Sequence, residues 1–268
     1  RCIKKDEYKC TLGGTSLALV GLLDLVEVYP SLEGKYLGLI EDYKEHILAM
    51  KKDGKGFIES YYLDKRKNDN ESSFSNGEAL YALVRYYQYE VDRKVRDVIA
   101  DSLEYFLEVY REKWDANFYL WGMVALKDWY GIDPRDEYFE FVKDYTDWRI
   151  SKYKGMRTTS NNKCAYIEGV VSAYSVLGKV LSDEELAYYL EEIEFWFKKG
   201  KELQISEGDF FRVSLNNGRI YGVQVEDWNK SEGGFLTSIK EPVQRIDFTQ
   251  HCLSGYLQKL VDVDGEGL

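Results

Sequence analysis

Proline is scarce in this chain, with 3 residues in 268, and no Pro/Ser-rich stretch interrupts it. Without such a linker the expectation is a single domain over residues 1–268. No cluster of Lys and Arg stands out, and the net charge is −11. A surface of that sign repels phosphate backbones, which argues against nucleic acid as a partner. The longest apolar runs, such as Leu17 to Leu23, fall far short of the roughly 20 residues of a membrane span. The opening residues do not read as a signal peptide. The chain begins Arg1-Cys2 without an initiator Met, which reads as a processed form or a fragment. No CxxC or CxxCH occurs, so zinc-finger, thioredoxin and c-type haem readings drop out.

Four cysteines stand at 2, 10, 164 and 252. Cys2 and Cys10 are near enough in sequence to close a short loop. If Cys164 and Cys252 also pair, the protein belongs to an oxidising compartment; otherwise the chain carries four free thiols in a cytosolic protein. The missing start tips the expectation toward an exported protein, extracellular or at the cell surface, with a cytoplasmic one as the alternative. Aromatics are abundant: 23 Tyr, 12 Phe and 6 Trp. Such residues line carbohydrate clefts, but more often they supply buried area in a core.

Hydrophobic periodicity gives an alternation. Apolar helices start near 14, 75, 115, 163 and 246; amphipathic helices are expected near 35–52, 92–112, 134–152 and 183–200. Two boundaries are marked by residue chemistry. Asp133-Pro134 opens one helix, and Ser182-Asp183-Glu184-Glu185 reads as a capping box. Gly54 to Ile58 and Gly233 to Leu236 read as short glycine-marked strands, and 208–224 around Asn216-Asn217-Gly218 as a β-hairpin. Residues 1–13 read as a charged lead-in. Apolar helices buried all round, alternating with helices buried on one side, imply two concentric layers. The expected fold is all-α, an α/α toroid of about five helical hairpins with a small β-hairpin insert. An irregular bundle or HEAT-like stack is the alternative.

The last apolar helix has an unusual face. Asp247, Gln250, His251 and Ser254 fall at i, i+3, i+4 and i+7, making a stripe of short polar groups where an ordinary surface helix carries Lys and Glu. Cys252, Leu253, Tyr256, Leu257 and Leu260 cover the other side.

Four stretches carry a resemblance: Leu12 to Leu19 (LGGTSLAL), Asn76 to Leu83 (NGEALYAL), the Gly-Gly-Phe at 233–235, and Arg245 to His251 (RIDFTQH). They resemble the inner helices of the six-hairpin glycosidase-like α/α toroids, and more loosely those of the terpenoid-cyclase and lanthionine-cyclase toroids. A full six-hairpin ring needs twelve helices, whereas nine or ten are read here. That leaves an incomplete ring, a smaller ring, or one completed by a missing segment or a partner. The resemblance implies a sugar substrate at the end of the ring where inner-helix N-termini gather.

Candidate residues lie at inner-helix starts. Glu78 reads as an acid or base, or as the end of a Ser75–Glu78 capping box. Asp115, beside Trp114 and Asn117, reads as a carboxylate with a sugar platform, or as a plain N-cap. Glu168 sits in an apolar run and needs a partner or water. Asp247 and His251 read as a dyad, or as an Asp–His hydrogen bond between helices. Arg157 and Arg245 suit a carboxylated sugar, or pair with surplus acids; Asn161 and Gln250 join them as substrate-binding candidates. Glycoside hydrolysis, the first expectation, needs two carboxylates about 5–5.5 Å apart for retention or about 6.5–9.5 Å apart for inversion. A uronate lyase or epimerase using His251, Asp247 and Arg245 is the second. A non-catalytic toroid binding glycans or another subunit is the third. The partner is an oligosaccharide or polysaccharide, uronate-containing ones among them. No cofactor is expected. A zinc site from Cys164, His251 and Cys252 is disfavoured, because adjacent helical residues diverge by about 100°.

Overall fold

The computed structural model describes residues 1–63, 69–154, 163–205, 210–214, 220–225, 227–237 and 243–265. The chain forms two compact units, Arg1–Tyr145 and Thr146–Leu268.

The first unit opens with a small sheet rather than an unstructured lead-in. Strand β1 (Ile3–Lys4) pairs antiparallel with β2 (Lys9–Thr11), and β2 pairs with β3 (Ser60–Tyr62), in the order β1-β2-β3. Asp6 makes the reversal between β1 and β2, its Oδ1 accepting from the Tyr8 and Lys9 amides at 2.9 and 2.8 Å. The Cys2–Cys10 disulfide ties the same corner. The strand expected at Gly54–Ile58 is instead a single Lys51–Phe57 bridge; the paired strand begins two residues later.

Among the described residues six α-helices begin in this unit: α1 (Leu12–Val28), α2 (Glu33–Ala49), α3 (Ser73–Tyr89), α4 (Arg93–Glu112), α5 (Ala116–Tyr130) and α6 (Asp136–Lys154), the last running into the second unit. The expected alternation holds. Helices α1, α3 and α5 lie side by side, with α3 in the middle, while α2 and α4 pack on their outer sides. Helix α4 shows why an outer helix is amphipathic. Val95, Ile99, Leu103, Phe106 and Tyr110 are buried on one face, and Asp92 caps its start by accepting from the Lys94 and Val95 amides. Helix α5 buries Phe118, Met123 and Trp129 among others; each such side chain contributes about 1.5–3 kcal/mol. Close approach of α3 to α5 depends on Gly77. A Cβ there would lie 2.7 Å from the Trp121 Cβ and 3.2 Å from the Gly122 nitrogen.

These inner helices run parallel. At one end Ser73 Oγ donates to Asp115 Oδ2 at 2.6 Å, joining the starts of α3 and α5. Toward the other end, Arg85 of α3 reaches Asp24 and Glu27 of α1, both at 2.8 Å. Helix α3 starts at Ser73 with Ser72 at its N-cap, so Ser75 is already helical and Glu78 lies in the second turn. The Ser75–Glu78 capping box is therefore not formed. Likewise α6 begins at Asp136, two residues after Pro134.

The second unit holds α7 (Lys163–Leu177), α8 (Asp183–Lys201), β4 (Phe210–Ser214), β5 (Ile220–Gln224), a four-residue helix α9 (Trp228–Ser231) and α10 (Ile246–Asp262). The capping box at Ser182 forms as expected, with Glu185 bonded back to the Ser182 amide at 2.9 Å. The hairpin forms too: β4 and β5 pair antiparallel from Phe210–Gln224 to Ser214–Ile220, while its turn at Asn216-Asn217-Gly218 lies outside the described residues. The Gly233–Leu236 segment contributes two isolated bridges, Gln204–Phe235 and Leu236–Gln244, rather than a strand. Helices α7 and α10 pack along their lengths, with α8 on α7. The apolar side of α10 divides. Cys252 is buried, whereas Leu253, Leu257 and Val261 are exposed, because α10 meets α7 through its polar stripe instead.

Candidate active site

In the second unit, α7 and α10 run parallel, and their contacts form successive rungs. Cys164 and Cys252 are disulfide-bonded, with Cα atoms 4.5 Å apart. This takes both sulfurs away from a Cys/Cys/His zinc site. One turn further along α7, Glu168 is only 2% exposed and His251 of α10 is 9% exposed. His251 Nδ1 lies 2.7 Å from Glu168 Oε2, and Ser254 Oγ donates to Glu168 Oε1 at 2.6 Å. Below them Gln258 Nε2 donates to Ser254 Oγ at 3.3 Å, and Ser172 Oγ donates to Gln258 Oε1 at 2.8 Å. Ser175 Oγ donates to Asp262 Oδ2 at 2.9 Å. A carboxylate inside the apolar run of α7 needs such partners, and both its oxygens have one. His251 Nδ1 and Glu168 Oε2 share one proton in this hydrogen bond, which fixes the orientation of the imidazole ring.

The pairing corrects the sequence-based dyad. Asp247 shares a helix face with His251 but does not bind it. Arg245 forks onto Asp247 instead, Nε to Oδ1 at 3.0 Å and Nη2 to Oδ2 at 2.6 Å. Burial would raise the Asp247 carboxyl, but the Arg245 hydrogen bonds and charge outweigh it and hold the group below the usual carboxylate range. Asp247 also sits in the first turn of α10, where the helix dipole favours negative charge. Gln250 is exposed. Arg157 and Asn161 lie outside the described residues.

The first unit places its candidates differently. Asp115 is the N-cap of α5: its Oδ1 accepts from the Asn117 amide at 2.8 Å and its Oδ2 from Ser73. Tyr145 donates to the Asp115 carbonyl. Burial drives the Tyr145 phenol well above its ordinary range, against the lowering effect of that bond. Trp114 packs on Tyr145 at 4.5 Å and Phe141 at 5.7 Å between ring centroids. These contacts fix Asp115 and Trp114 at the start of α5. The Asn117 amide joins them, and the residue itself is exposed.

Glu78 lies in the second turn of α3. Its carboxylate lies against Gly13 in the first turn of α1, where any Cβ would overlap it. Two residues not anticipated from sequence lie further along α3. Tyr81 stacks on Trp121 at 5.9 Å and 22°, and Arg85 carries the Asp24 and Glu27 pairs. Ser254 stood on the polar stripe but was not singled out as a site residue, and Ser172 and Gln258 were missed. The available signal was small polar residues inside otherwise apolar helices, four positions from a carboxylate or from each other.

No family model matches the sequence, and no curated protein matches it. Solved structures do. One, described as D-mannose isomerase, aligns over 94% of this chain and 71% of its own, with a TM-score of 0.60 at 13% identity. Another, cellobiose 2-epimerase from Spirochaeta thermophila DSM 6192, aligns over 97% and 77%, with a TM-score of 0.58 at 12% identity. At such identities the likeness speaks for the fold alone: the chain has an α/α-toroid fold, as its alternating inner and outer helices lead one to expect.

Proposed function

We propose that the chain acts on a reducing sugar as an isomerase or epimerase, with His251 as the base that moves a proton next to the carbonyl. The Glu168–His251 hydrogen bond carries this reading. A buried carboxylate on Nδ1 fixes the ring orientation and stabilises the imidazolium that forms when the ring takes a proton. The two structural neighbours, whose names place them on mannose and cellobiose, support the substrate class.

The step balances without a redox partner. In an open-chain aldose, the His251 imidazole takes the C2 proton and the electron pair moves through the new C1–C2 double bond onto the carbonyl oxygen, giving an enediolate. Return of the proton to C1, with the O2 proton passing to O1, yields the ketose. Return to C2 from the other face yields the epimer. The chain has two histidines, and the other, His46, lies on α2. A single base working on one face favours aldose–ketose isomerisation, since epimerisation needs a donor on the opposite face as well.

Glycoside hydrolysis is the weaker reading. Within the second unit both oxygens of Glu168 and both of Asp247 are already engaged. Arg245 already forks onto Asp247, so a neutral sugar is favoured over a uronate. The two disulfides support an oxidising compartment.

The test is incubation with mannose, glucose, fructose, cellobiose and glucuronate, followed by chromatography of the sugars. A new ketose or epimer supports the proposal. Binding without conversion of any sugar sinks it in favour of a glycan-binding toroid, and release of monosaccharide from cellobiose sinks it in favour of hydrolysis.

A further inference from the structure

We infer that the Cys164–Cys252 disulfide is a positioning device for the Glu168–His251 pair, and not only a covalent staple; the inference rests on the proposed role of that pair. Three placements carry it. Cys252 follows His251 directly, and Cys164 precedes Glu168 by one helical turn. The disulfide is thus the rung next to the hydrogen-bonded one, between the same two helices. Adjacent residues on a helix move together, so fixing the Cys252 Cα against α7 also fixes the rotation of α10 that aims His251 at Glu168.

The rung is built into its surroundings. Both cysteines are buried in an apolar cluster with Leu203, Ile205, Phe235 and Leu236. The segments bearing these residues are laced to each other by Ile205 N to Gly234 O at 2.8 Å and Leu236 N to Leu203 O at 2.9 Å. Phe235 N donates to Thr249 Oγ1 at 3.2 Å, which ties them to the first turns of α10. The start of α10 is therefore held from two sides: by the disulfide to α7, and by the 203–205 and 234–236 segments. Glu168 and His251 need that constraint because their hydrogen bond is directional, and a small turn of α10 separates Nδ1 from Oε2. Ser254, one turn on, depends on the same rotation to reach Oε1.

The experiment reads His251 directly. With only two histidines in the chain, a long-range proton–nitrogen spectrum contains two imidazole patterns, and His46→Gln assigns them. It is recorded for the wild type, the Cys164→Ala/Cys252→Ala double variant and Glu168→Gln. Far-UV circular dichroism reports on folding in parallel. The expected result is a helical double variant whose His251 pattern shifts from that of the wild type toward that of Glu168→Gln. Two outcomes overturn the inference. One is an unchanged His251 pattern in a folded double variant. The other is loss of helical signal in the double variant and also in wild type reduced with a phosphine, which makes the bond a purely structural staple. Sugar conversion is measured on the same samples. If His251 shifts as expected while no form converts any sugar, the positioning inference stands and the proposed function fails.

Discussion

His251 and Glu168 stand 83 positions apart in the chain, and the side chains meet at 2.7 Å in the buried seam between α7 and α10. The carboxylate has its second oxygen on Ser254. The pair is thus fully satisfied on the Glu168 side, and removing either partner exposes the other to the cost of an unmet buried polar group.

That cost is the first prediction. His251→Ala leaves Glu168 with Ser254 alone and should destabilise the protein by about 1–3 kcal/mol, since a carboxyl can protonate rather than stay buried as an ion. Urea unfolding of His251→Ala, Glu168→Gln and the double variant completes a cycle. Strongly non-additive losses are expected, with a coupling of about 0.5–3 kcal/mol. Additive losses would mean the two side chains do not interact.

The glycines of the inner helices make a second, paired prediction. Gly77→Ala should destabilise by about 1–3 kcal/mol through overpacking, because its Cβ would press on Trp121 and on the Gly122 backbone. Gly21→Ala, in α1, meets nothing within 4 Å and should stabilise by up to about 1 kcal/mol through helix propensity. Thermal unfolding of the two variants should move in opposite directions. Equal shifts would contradict the close α3–α5 approach.

His46 gives a pH dependence. Burial, with the N-terminal amine second, holds its imidazole below the ordinary value of 6.5, and its Nε2 is buried without a partner among the described residues. The folded state therefore favours the neutral form, and the unfolded state takes the proton more readily. The stability this contributes is complete above about pH 6.5 and is lost as pH falls through the lower folded value. Urea midpoints should drop between about pH 7 and about pH 5, and less steeply in His46→Leu. Parallel slopes in the two proteins would show that His46 is not the titrating group.

Much of the helix order was legible because it rests on local signals. Apolar runs such as Leu17 to Leu25 mark inner helices, and the Ser182 capping box places the start of α8 to the residue. The sheet at the N-terminus was not legible, since β1 to β3 are two or three residues long, too short for alternation to show. The site was half legible. The polar stripe of α10 and the buried carboxylate at Glu168 both stood out, but each was read within its own helix. Asp247, four positions from His251, looked like the natural partner. Arg245 binds Asp247 from two positions away, and the parallel docking of α7 on α10 supplies Glu168 instead. That choice depends on helix rotation, which no local pattern encodes.

The most direct test of the proposed chemistry is solvent deuterium. The protein is incubated with mannose, glucose and cellobiose in D2O, and hydrogen at C1 and C2 is followed by NMR. Wild type should exchange C2 hydrogen or deliver deuterium to C1 of a ketose product, and His251→Gln should lose the rate by about 10²–10⁴-fold. Exchange that persists undiminished in His251→Gln, or no exchange with any sugar while the His251–Glu168 hydrogen bond is intact, would contradict the assignment of His251 as the base.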